Sequence, residues 1–267
     1  MRVRHFILGL TMRIASWNVN SAKARLEHII GWLAADNTDI LMMQEIKSQD
    51  ENFPRDAFTD AGWHIAVHGQ KSYNGVAIAS RFPIEDVMNG LPGDDADEQA
   101  RYIEATINGV RVGNIYLPNG NPAPGPKFDY KLAWMARLYD RAIELLATEM
   151  PVVLGGDYNV LPQDIDCYDP PAWVGDALTH DDSRAAFFKI LHAGYMDALR
   201  ALHPSGVHYT YWDYQAGAWQ RDNGLRIDHL LLSPEAGDRL VQVGIDRAPR
   251  GLEKPSDHTP IWCQLRD

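Results

Sequence analysis

The chain alternates short apolar runs with longer amphipathic stretches. Apolar runs of strand length occupy residues 13–19, 39–44, 74–79, 102–107, 110–116, 151–156, 209–212, 226–232 and 260–265. Several of these runs contain no polar alternation, which is typical of strands buried on both faces. Asn108-Gly109 separates two of the runs. This dipeptide predicts a two-residue hairpin turn.

Helical periodicity fills the gaps between the apolar runs. The i, i+3, i+4, i+7 spacing of one helix face is present in Leu26, Ile29, Ile30 and Leu33. The longest predicted helix spans residues 128–148, and residues 181–201 are largely helical in pattern. Many strands mixed with helices predict an α/β fold in which two mixed β-sheets pack face to face, with helices outside.

The chain has no Pro-, Gly- and Ser-rich linker, so we expect one domain over residues 12–267. Residues 1–11 are interpreted as an N-terminal extension, because their apolar run is too short for a signal peptide. No apolar run is long enough to span a bilayer. Cys167 and Cys263 stand far apart without metal-site spacing, which indicates reduced thiols and a cytoplasmic protein.

The composition indicates a globular chain with a strongly acidic balance. Hydrophobic residues make up 45% and charged residues 23% of the 267 positions, which argues against a disordered protein. The formal net charge of −11 argues, taken alone, against a nucleic-acid protein. A metal site concentrates carboxylates, however, and a local basic rim can coexist with an acidic surface elsewhere. Composition therefore leaves both nucleic acids and small phosphorylated substrates open.

Polar side chains follow strand after strand. The ends of the predicted strands carry Asn18, Asn20, Glu45, Tyr116, Asn119, Asp157, Asn159, Asp257 and His258. One such residue alone is more often a turn former than a ligand. Asp228 lies inside an apolar run, where a carboxylate needs a partner. The recurrence of these groups predicts a site at one edge of the sheets.

These side chains suit phosphodiester hydrolysis assisted by Mg²⁺, with Mn²⁺ as the other candidate. Both ions prefer hard oxygen ligands, and the chain has no Cys/His zinc pattern. The reaction needs an activated water and stabilisation of charge at phosphorus. Asp257-His258 together with Asp228 resembles an Asp–His pair, but the chain lacks the Gly-x-Ser-x-Gly elbow of a serine hydrolase.

Eight segments, in order along residues 13–265, resemble the signatures of the endonuclease/exonuclease/phosphatase superfamily. They are residues 16–20, 41–47, 75–78, 114–120, 155–160, 211–214, 225–228 and 256–260. The chain most resembles the exonuclease III branch. The resemblance implies a four-layered α/β sandwich and a DNA repair hydrolase. It also implies a 3′→5′ exonuclease on duplex DNA and an endonuclease that cuts 5′ of abasic sites.

The resemblance also implies a metal site. Glu45 would be the main ligand, with Asn18 beside it. Asp257 would bind the metal directly or through water, and Asn20 matches a position that holds a second metal or its water.

The catalytic groups implied by the resemblance come from other strand ends. Asp157, oriented by Asn159, would position or deprotonate the attacking water. Tyr116 and His258 would hold the scissile phosphate, and Asp228 would orient His258. Water is then the nucleophile.

Substrate recognition is implied for a further set of residues. Asn119 would help to hold the phosphate, and a pocket for a base-less sugar would be lined by Tyr211, Trp212, Leu225 and Ile227. Some abasic endonucleases carry Trp where this chain has Leu225, which leaves more room for exonuclease action on 3′ ends. Both aromatic residues would otherwise be ordinary core side chains.

The expected partner is double-stranded DNA, especially abasic sites and 3′ ends, bound by a monomer. Candidate contacts to the DNA backbone, or plain surface charges, are Lys127, Lys131, Arg184 and Arg221. One alternative is a phosphatase or phosphodiesterase of the same fold, acting on a nucleotide or a lipid phosphate. A non-catalytic DNA-binding relative would lack one of the key side chains, yet all are present.

Overall fold

Two mixed β-sheets carry the fold, and the computed structural model describes residues 11–266. The strands of this part are β1 (Thr11–Asn18), β2 (Ile40–Gln44), β3 (His64–His68), β4 (Val76–Ser80), β5 (Glu85–Asn89), β6 (Tyr102–Ile107), β7 (Val110–Tyr116), β8 (Val152–Asp157), β9 (Met196–Asp197), β10 (Asp228–Leu232), β11 (Leu240–Ile245) and β12 (Ile261–Arg266). Its α-helices are α1 (Leu26–Ala35), α2 (Arg55–Asp60), α3 (Pro126–Leu146), α4 (Asp181–His192), α5 (Ala198–Leu202), α6 (Ala218–Arg221) and α7 (Pro234–Gly237). Short 3₁₀ turns occupy Asp50–Asn52, Asp164–Asp166, Pro170–Trp173 and Ala248–Gly251.

Each sheet has six strands and one parallel pair near its centre. The first sheet has the order β11-β12-β1-β2-β4-β3, and the second has the order β5-β6-β7-β8-β10-β9. The β1–β2 and β7–β8 pairs are parallel, while the remaining neighbours are antiparallel. Parallel neighbours end at the same edge, so the central strands of each sheet deliver their last residues together.

Three apolar layers separate the sheets and helices. Ile14 and Met42 of the first sheet share one buried cluster with Val112 of the second, so this cluster lies between the sheets. Neighbouring residues such as Trp17 point the opposite way, into a cluster with α1 and α2. A third cluster joins the second sheet to α3 and α4, with Phe187 among its members. Because strand side chains alternate between faces, both sheets are buried twice, and the four-layered α/β sandwich is confirmed.

The hairpin predicted at Asn108-Gly109 joins β6 and β7. Ile107 pairs with Val110 across the turn, and the two central residues have φ of 47° and 77°. Positive φ at both positions is the requirement of a type I′ turn, which Asn and Gly meet at low cost. Every helix described between residues 11 and 266 is too short or too polar to cross a membrane.

Some expected elements differ in the structure. Residues 209–212 do not form a strand; Tyr211 makes only isolated bridges to Leu225 and His258. The helix expected over 181–201 is divided, because β9 pairs with β10 in its middle. The strands β3, β5 and β11 were not predicted; all three are edge strands whose residues are mostly exposed or half-buried. Of the expected extension 1–11, only Thr11 is described, and it begins β1.

A buried ionic cluster lies beside the central strands of the second sheet. The Arg226 guanidinium donates to Asp166 (Nε to Oδ1, 2.7 Å) and to Asp197 (Nη1 to Oδ2, 2.7 Å). The Nδ1 of His229 lies 3.0 Å from Arg226 Nη1, and its Nε2 lies 3.0 Å from Val160 O. An Nε2–H tautomer satisfies both contacts. Burial and Arg226 lower the pKa of His229 to about 4, in agreement with a neutral ring.

The Asp166→Ala substitution tests how much this cluster contributes to the stability of the protein. It leaves the fully buried guanidinium of Arg226 with one carboxylate instead of two, and we expect a loss of about 3–5 kcal/mol in the free energy of unfolding. Urea denaturation measures it. Asp164 pairs with Arg184 at the surface, so Asp164→Ala is the matched control and should cost at most about 1 kcal/mol. Equal losses in the two variants would contradict the prediction.

Candidate active site

Three polar side chains lie side by side at one edge of the second sheet. Tyr116 and Asp157 are the last residues of the parallel strands β7 and β8 and are in register with each other. Asp228 begins the antiparallel strand β10 and pairs with Asp157. These polar residues at strand ends therefore place one phenol and two carboxyl groups side by side.

The first sheet delivers Asn18 and Glu45 to the same edge. Asn18 ends β1 in register with Gln44, the last residue of β2, and Glu45 follows. Glu45 has a positive φ of 50°, which is unusual for a non-glycine residue. Its carbonyl accepts from the backbone amide of Ser21 at 2.7 Å, which helps to hold this conformation. Strained backbone of this kind is frequent at functional sites.

Asn18 connects the polar groups of the two sheets. Its Nδ2 donates to Glu45 Oε1 at 2.9 Å and to Asp157 Oδ2 at 3.0 Å. Both protons of one buried amide are therefore used to hold two carboxylates from different sheets. Burial alone would raise the pKa of Glu45, but its bonds with Asn18 and Lys47 bring that pKa below its ordinary value.

His258 forms an ion pair with Asp228. Its Nδ1 lies 2.8 Å from Asp228 Oδ2, and its Nε2 lies 3.7 Å from Asp157 Oδ2. All three side chains are almost completely buried. Burial opposes a charge on the ring, yet the carboxylates of Asp228 and Asp157 outweigh it and raise the pKa of His258. The imidazolium can therefore direct Nε2–H into the site while Asp228 fixes the ring.

Asp157 is held by the chain that follows it. The backbone amide of Asn159 donates to Asp157 Oδ1 at 2.9 Å. The side-chain Nδ2 of Asn159 donates to Leu117 O, also at 2.9 Å. Asn119 donates in turn to Asn159 Oδ1 at 3.1 Å. Burial raises the pKa of Asp157 above its ordinary value, with the positive charge of His258 acting against this. A carboxylate in this state is a stronger proton acceptor than an ordinary Asp.

Tyr116 remains a neutral phenol. Burial, together with the charges of Glu45 and Asp157, raises its pKa well above the ordinary value. The Arg101 guanidinium lies over its ring, 4.8 Å from the ring centroid. Tyr116 can thus donate a hydrogen bond to an anionic substrate at neutral pH.

The oxygen atoms around Glu45 suit a hard divalent cation. Lys47 Nζ lies 2.9 Å from Glu45 Oε2 and 2.6 Å from Asn20 Oδ1, so a positive charge already lies among these oxygens. Asn20 also donates to Asp257 Oδ1 at 3.0 Å. The residues expected to bind metal are therefore neighbours, and carboxylate and amide oxygens are the ligands that Mg²⁺ prefers.

A second group could also hold a cation. Ligand atoms of Asp157, Asp228 and His258 lie within 4.8 Å of one another, and the ring of His258 could bind a cation only after it loses a proton. Within residues 11–266, the buried Oδ1 of Asp228 has no hydrogen-bond partner. This orphan acceptor fits a bound cation or water. The buried acidic and histidine cluster thus adjoins the Glu45 oxygens rather than coinciding with them.

A cavity of about 320 Å³ opens beside these groups. It is lined by Glu45, Tyr116, Asn119, Asn121, Asp157, Asn159, Trp173, Asp176, Leu178, Tyr211, Leu225, Ile227, Asp257 and His258. Three of the four residues expected to form a sugar pocket are included. The structure does not bring Trp212 there: it is fully buried with Tyr209, Ala218 and Trp219, and its Nε1 donates to Asp222. Adjacent residues of an extended chain face opposite ways, so Tyr211 and Trp212 cannot both face the cavity.

Four residues of the cavity lining were not predicted. Trp173, Asp176 and Leu178 come from the long irregular stretch after β8, and Asn121 comes from the loop after β7. Asn121 Nδ2 donates to both oxygens of Asp176, at 3.0 and 3.1 Å, which ties the two loops together. The available signal was the Pro, Asn and Gly residues of the first loop and the Pro and Asp residues of the second, but it does not specify which side chains point inward.

The four candidate cations for DNA binding have different environments. Lys127 and Arg221 are exposed, and Arg184 pairs with Asp164 at 2.9 Å. Lys131 has no exposed surface and cannot touch DNA, so the expectation for this residue is wrong. Its spacing from Phe128 and Met135 places it on the buried face of α3, but a lysine on such a face is buried only where acceptors satisfy its amine.

Comparison with known proteins identifies the family. A model of the Endonuclease/Exonuclease/phosphatase family matches residues 15–258, which include all of the site residues described above. The chain belongs to this family. The resemblance inferred from the eight ordered segments is thereby confirmed.

Relatives of the family match over almost the whole chain. Exodeoxyribonuclease III of Haemophilus influenzae is 32% identical over 96% of this chain and 100% of its own length. The structure of the 3′ phosphatase NExo from Neisseria, bound to a product DNA hairpin, is 43% identical, with a TM-score of 0.94 over 96% of this chain and 100% of the other. An AP endonuclease structure from Archaeoglobus fulgidus is 40% identical, with a TM-score of 0.92 over 96% and 99% of the two chains.

The Asp228→Asn substitution tests the ion pair between His258 and Asp228. The substitution removes the main negative partner of His258, so we expect the pKa of His258 to fall toward or below its ordinary value. Nitrogen-detected NMR titration of the metal-free protein follows the imidazole. His229 is an internal reference in the same spectra, because its Nδ1 partner is Arg226 and it should stay neutral. An unchanged His258 titration would remove Asp228 from this role.

Proposed function

We propose that this protein is a DNA repair nuclease that hydrolyses phosphodiester bonds as a 3′→5′ exonuclease on duplex DNA and as an endonuclease 5′ of abasic sites. The observation that carries the proposal is the arrangement of Asp157, Tyr116 and the His258–Asp228 pair around one cavity, within a chain of this family. The names of the exodeoxyribonuclease III and AP endonuclease relatives support the same class of substrate.

The side chains divide the reaction between them. Tyr116, His258 and Asn119 donate hydrogen bonds to the phosphate oxygens, and negative charge grows on these oxygens in the transition state. Asp157, held by Asn159, accepts a proton from a water molecule as that water attacks phosphorus. The bond from phosphorus to the 3′ oxygen breaks, and the 3′ oxygen leaves as a hydroxyl after it takes up a proton.

A divalent cation, which we propose to be Mg²⁺, belongs to this site. Glu45 and Asn18 would hold it, with Asn20 and Asp257 nearby. Bound there, the cation would supply positive charge to the phosphate and the leaving oxygen. The carboxylate and amide oxygens collected here are the ligands that such an ion prefers.

Substrate choice would depend on the apolar part of the cavity. Tyr211, Leu225 and Ile227 form one side, and Trp173 and Leu178 add to it. A deoxyribose without its base fits such a surface, since it exposes carbon atoms where a normal nucleotide carries a base. A cytoplasmic location and a monomeric state remain predictions from the sequence.

A labelled duplex with one internal tetrahydrofuran abasic analogue tests the proposal. Incubation with Mg²⁺ should give incision immediately 5′ of the analogue, and a descending ladder from the 3′ end would report the exonuclease. Parallel reactions with EDTA should give neither product. If no divalent metal supports cleavage, the DNA nuclease proposal fails, and small phosphorylated substrates become the next test.

Asp157→Asn should reduce the cleavage rate by a factor on the order of 10³ or more, because the amide cannot accept the proton of the attacking water. DNA binding should persist, since the phosphate contacts come from other side chains. Single-turnover kinetics and fluorescence anisotropy measure the two quantities separately. Near-normal turnover would show that another group activates the water.

Glu45→Gln should raise the Mg²⁺ concentration needed for half-maximal rate, because it removes the negative charge that Lys47 and Asn18 now share. A metal titration of the initial rate measures this. Asp50→Asn, on the exposed 3₁₀ turn that follows, is the matched control and should leave the titration unchanged. If Glu45→Gln leaves the titration unchanged while Asp228→Asn shifts it, the main ligands are those of the neighbouring cluster.

A further inference from the structure

A lysine is buried directly behind the site. Lys131 lies in α3 with no exposed surface and is not among the residues that line the cavity. Its Nζ donates to the backbone carbonyl of Asn159 at 2.6 Å and to that of Asn119 at 3.1 Å. An ammonium is costly to bury and is retained only where such acceptors satisfy it. The two acceptors belong to the loops that follow β7 and β8.

Those two carbonyls belong to the residues whose side chains face the phosphate site. Asn119 donates to Asn159, and the backbone amide of Asn159 donates to Asp157. One amine therefore ties two loops together from the side opposite the cavity. A shift of either loop would change the distance between Asn119, which contacts phosphate in the proposed function, and Asp157, which activates the water.

The packing around the lysine stem is tight. Gly120 has a φ of +90°, and a Cβ at this position would lie 2.6 Å from Lys131 Cδ. Glycine is thus needed both for the backbone conformation and for the space. The loop after β7 folds closely over the stem, so the Nζ has little freedom to choose other acceptors.

The hydrogen bonds do not depend on the charge of the amine. Burial lowers the pKa of Lys131 to about 7, with the negative charges of Asp157 and Asp176 acting in the opposite direction. A neutral amine still has two N–H groups, which is the number of carbonyls it serves. The same two bonds can therefore be made on either side of neutral pH.

We propose that Lys131 is a positioning residue of the nuclease: by bonding the carbonyls of Asn119 and Asn159, it fixes the phosphate-binding amide relative to Asp157. This inference rests on the proposed function, because it assigns a consequence to the geometry of those side chains. It differs from the surface role suggested by the sequence, in which Lys131 would bind the DNA backbone.

Lys131→Met removes the amine and keeps the unbranched stem. We expect kcat on the abasic duplex to fall about 10- to 100-fold with little change in KM, since small displacements of reacting groups have effects of this size. Leu138→Ala, on the same helix and equally buried, is the control for lost stability. It should lower the melting temperature without lowering kcat. Normal kcat in Lys131→Met would overturn the inference.

Lys127→Met separates positioning from DNA binding. Lys127 is exposed one turn earlier on α3, so its substitution should raise KM and leave kcat unchanged. If Lys131→Met also raised only KM, a positioning role would be wrong. Should Lys131→Met fail to fold, Lys131→Gln keeps a shorter donor group, and the same split between kcat and KM decides.

A double-variant cycle tests whether Lys131 acts through Asn119. The rate losses caused by Asn119→Ala and Lys131→Met should not multiply. The double variant should be about as slow as the slower single variant, because the effects of substitutions within one hydrogen-bond network are not additive. Rate losses that multiply would mean that Lys131 acts elsewhere. An inactive wild type would contradict the proposed nuclease itself, whereas an active wild type with an active Lys131→Met protein would contradict only the role of Lys131.

Discussion

The site depends on hydrogen bonds that cross between the two sheets. Asn114 of β7 donates to the carbonyls of Met43 and Ala77 in the first sheet, at 2.9 and 2.8 Å, and accepts from Gln44 at 2.7 Å. These polar groups are fully buried in an apolar interface, so any sliding of one sheet on the other would leave them unpaired. Apolar packing alone tolerates such sliding more easily. The cross-sheet bonds therefore specify which strand ends meet, and Asn18 extends the same pattern to Glu45 and Asp157.

The arrangement concentrates negative charge, and the fold offsets it with cations placed on three sides. Lys47 lies against Glu45, His258 lies between Asp228 and Asp157, and Lys131 lies behind the loop of Asp157. Each cation is attached to a different part of the chain. The overall charge of −11 is thus a poor guide to the site, where the balance is set by individual buried pairs. The two carboxyls also differ in their surroundings: Asp228 pairs with His258, while Asp157 lines the cavity.

The central strands and their terminal residues could be predicted from the sequence because both depend on local pattern. Uninterrupted apolar runs such as β8 need burial on two faces, and the polar residue after each run must then lie at the sheet edge. Family membership and the DNA repair nuclease function were likewise predictable, since the motifs occur in a fixed order. The edge strand β5 was missed because its residues are mostly exposed and polar. Lys131 lies on the buried stripe of α3, three residues after Phe128 and four before Met135. It was misplaced because a lysine is buried only where acceptors satisfy its amine, and these acceptors come from loops distant in sequence.

The cavity shows why the loop residues that line such a site are harder to predict from sequence than the polar residues at its strand ends. The positions of Asp157 and Tyr116 are set by strand register, which is fixed over the whole sheet. Other lining residues come from loops, where the Asn121–Asp176 contact joins segments 55 residues apart, and no periodic pattern marks either residue. Strand register therefore positions Asp157 and Tyr116, whereas the loops supply a further part of the cavity lining. Loops vary more readily than strand ends among proteins of one fold, which agrees with the different names that the relatives carry: exodeoxyribonuclease, 3′ phosphatase and AP endonuclease.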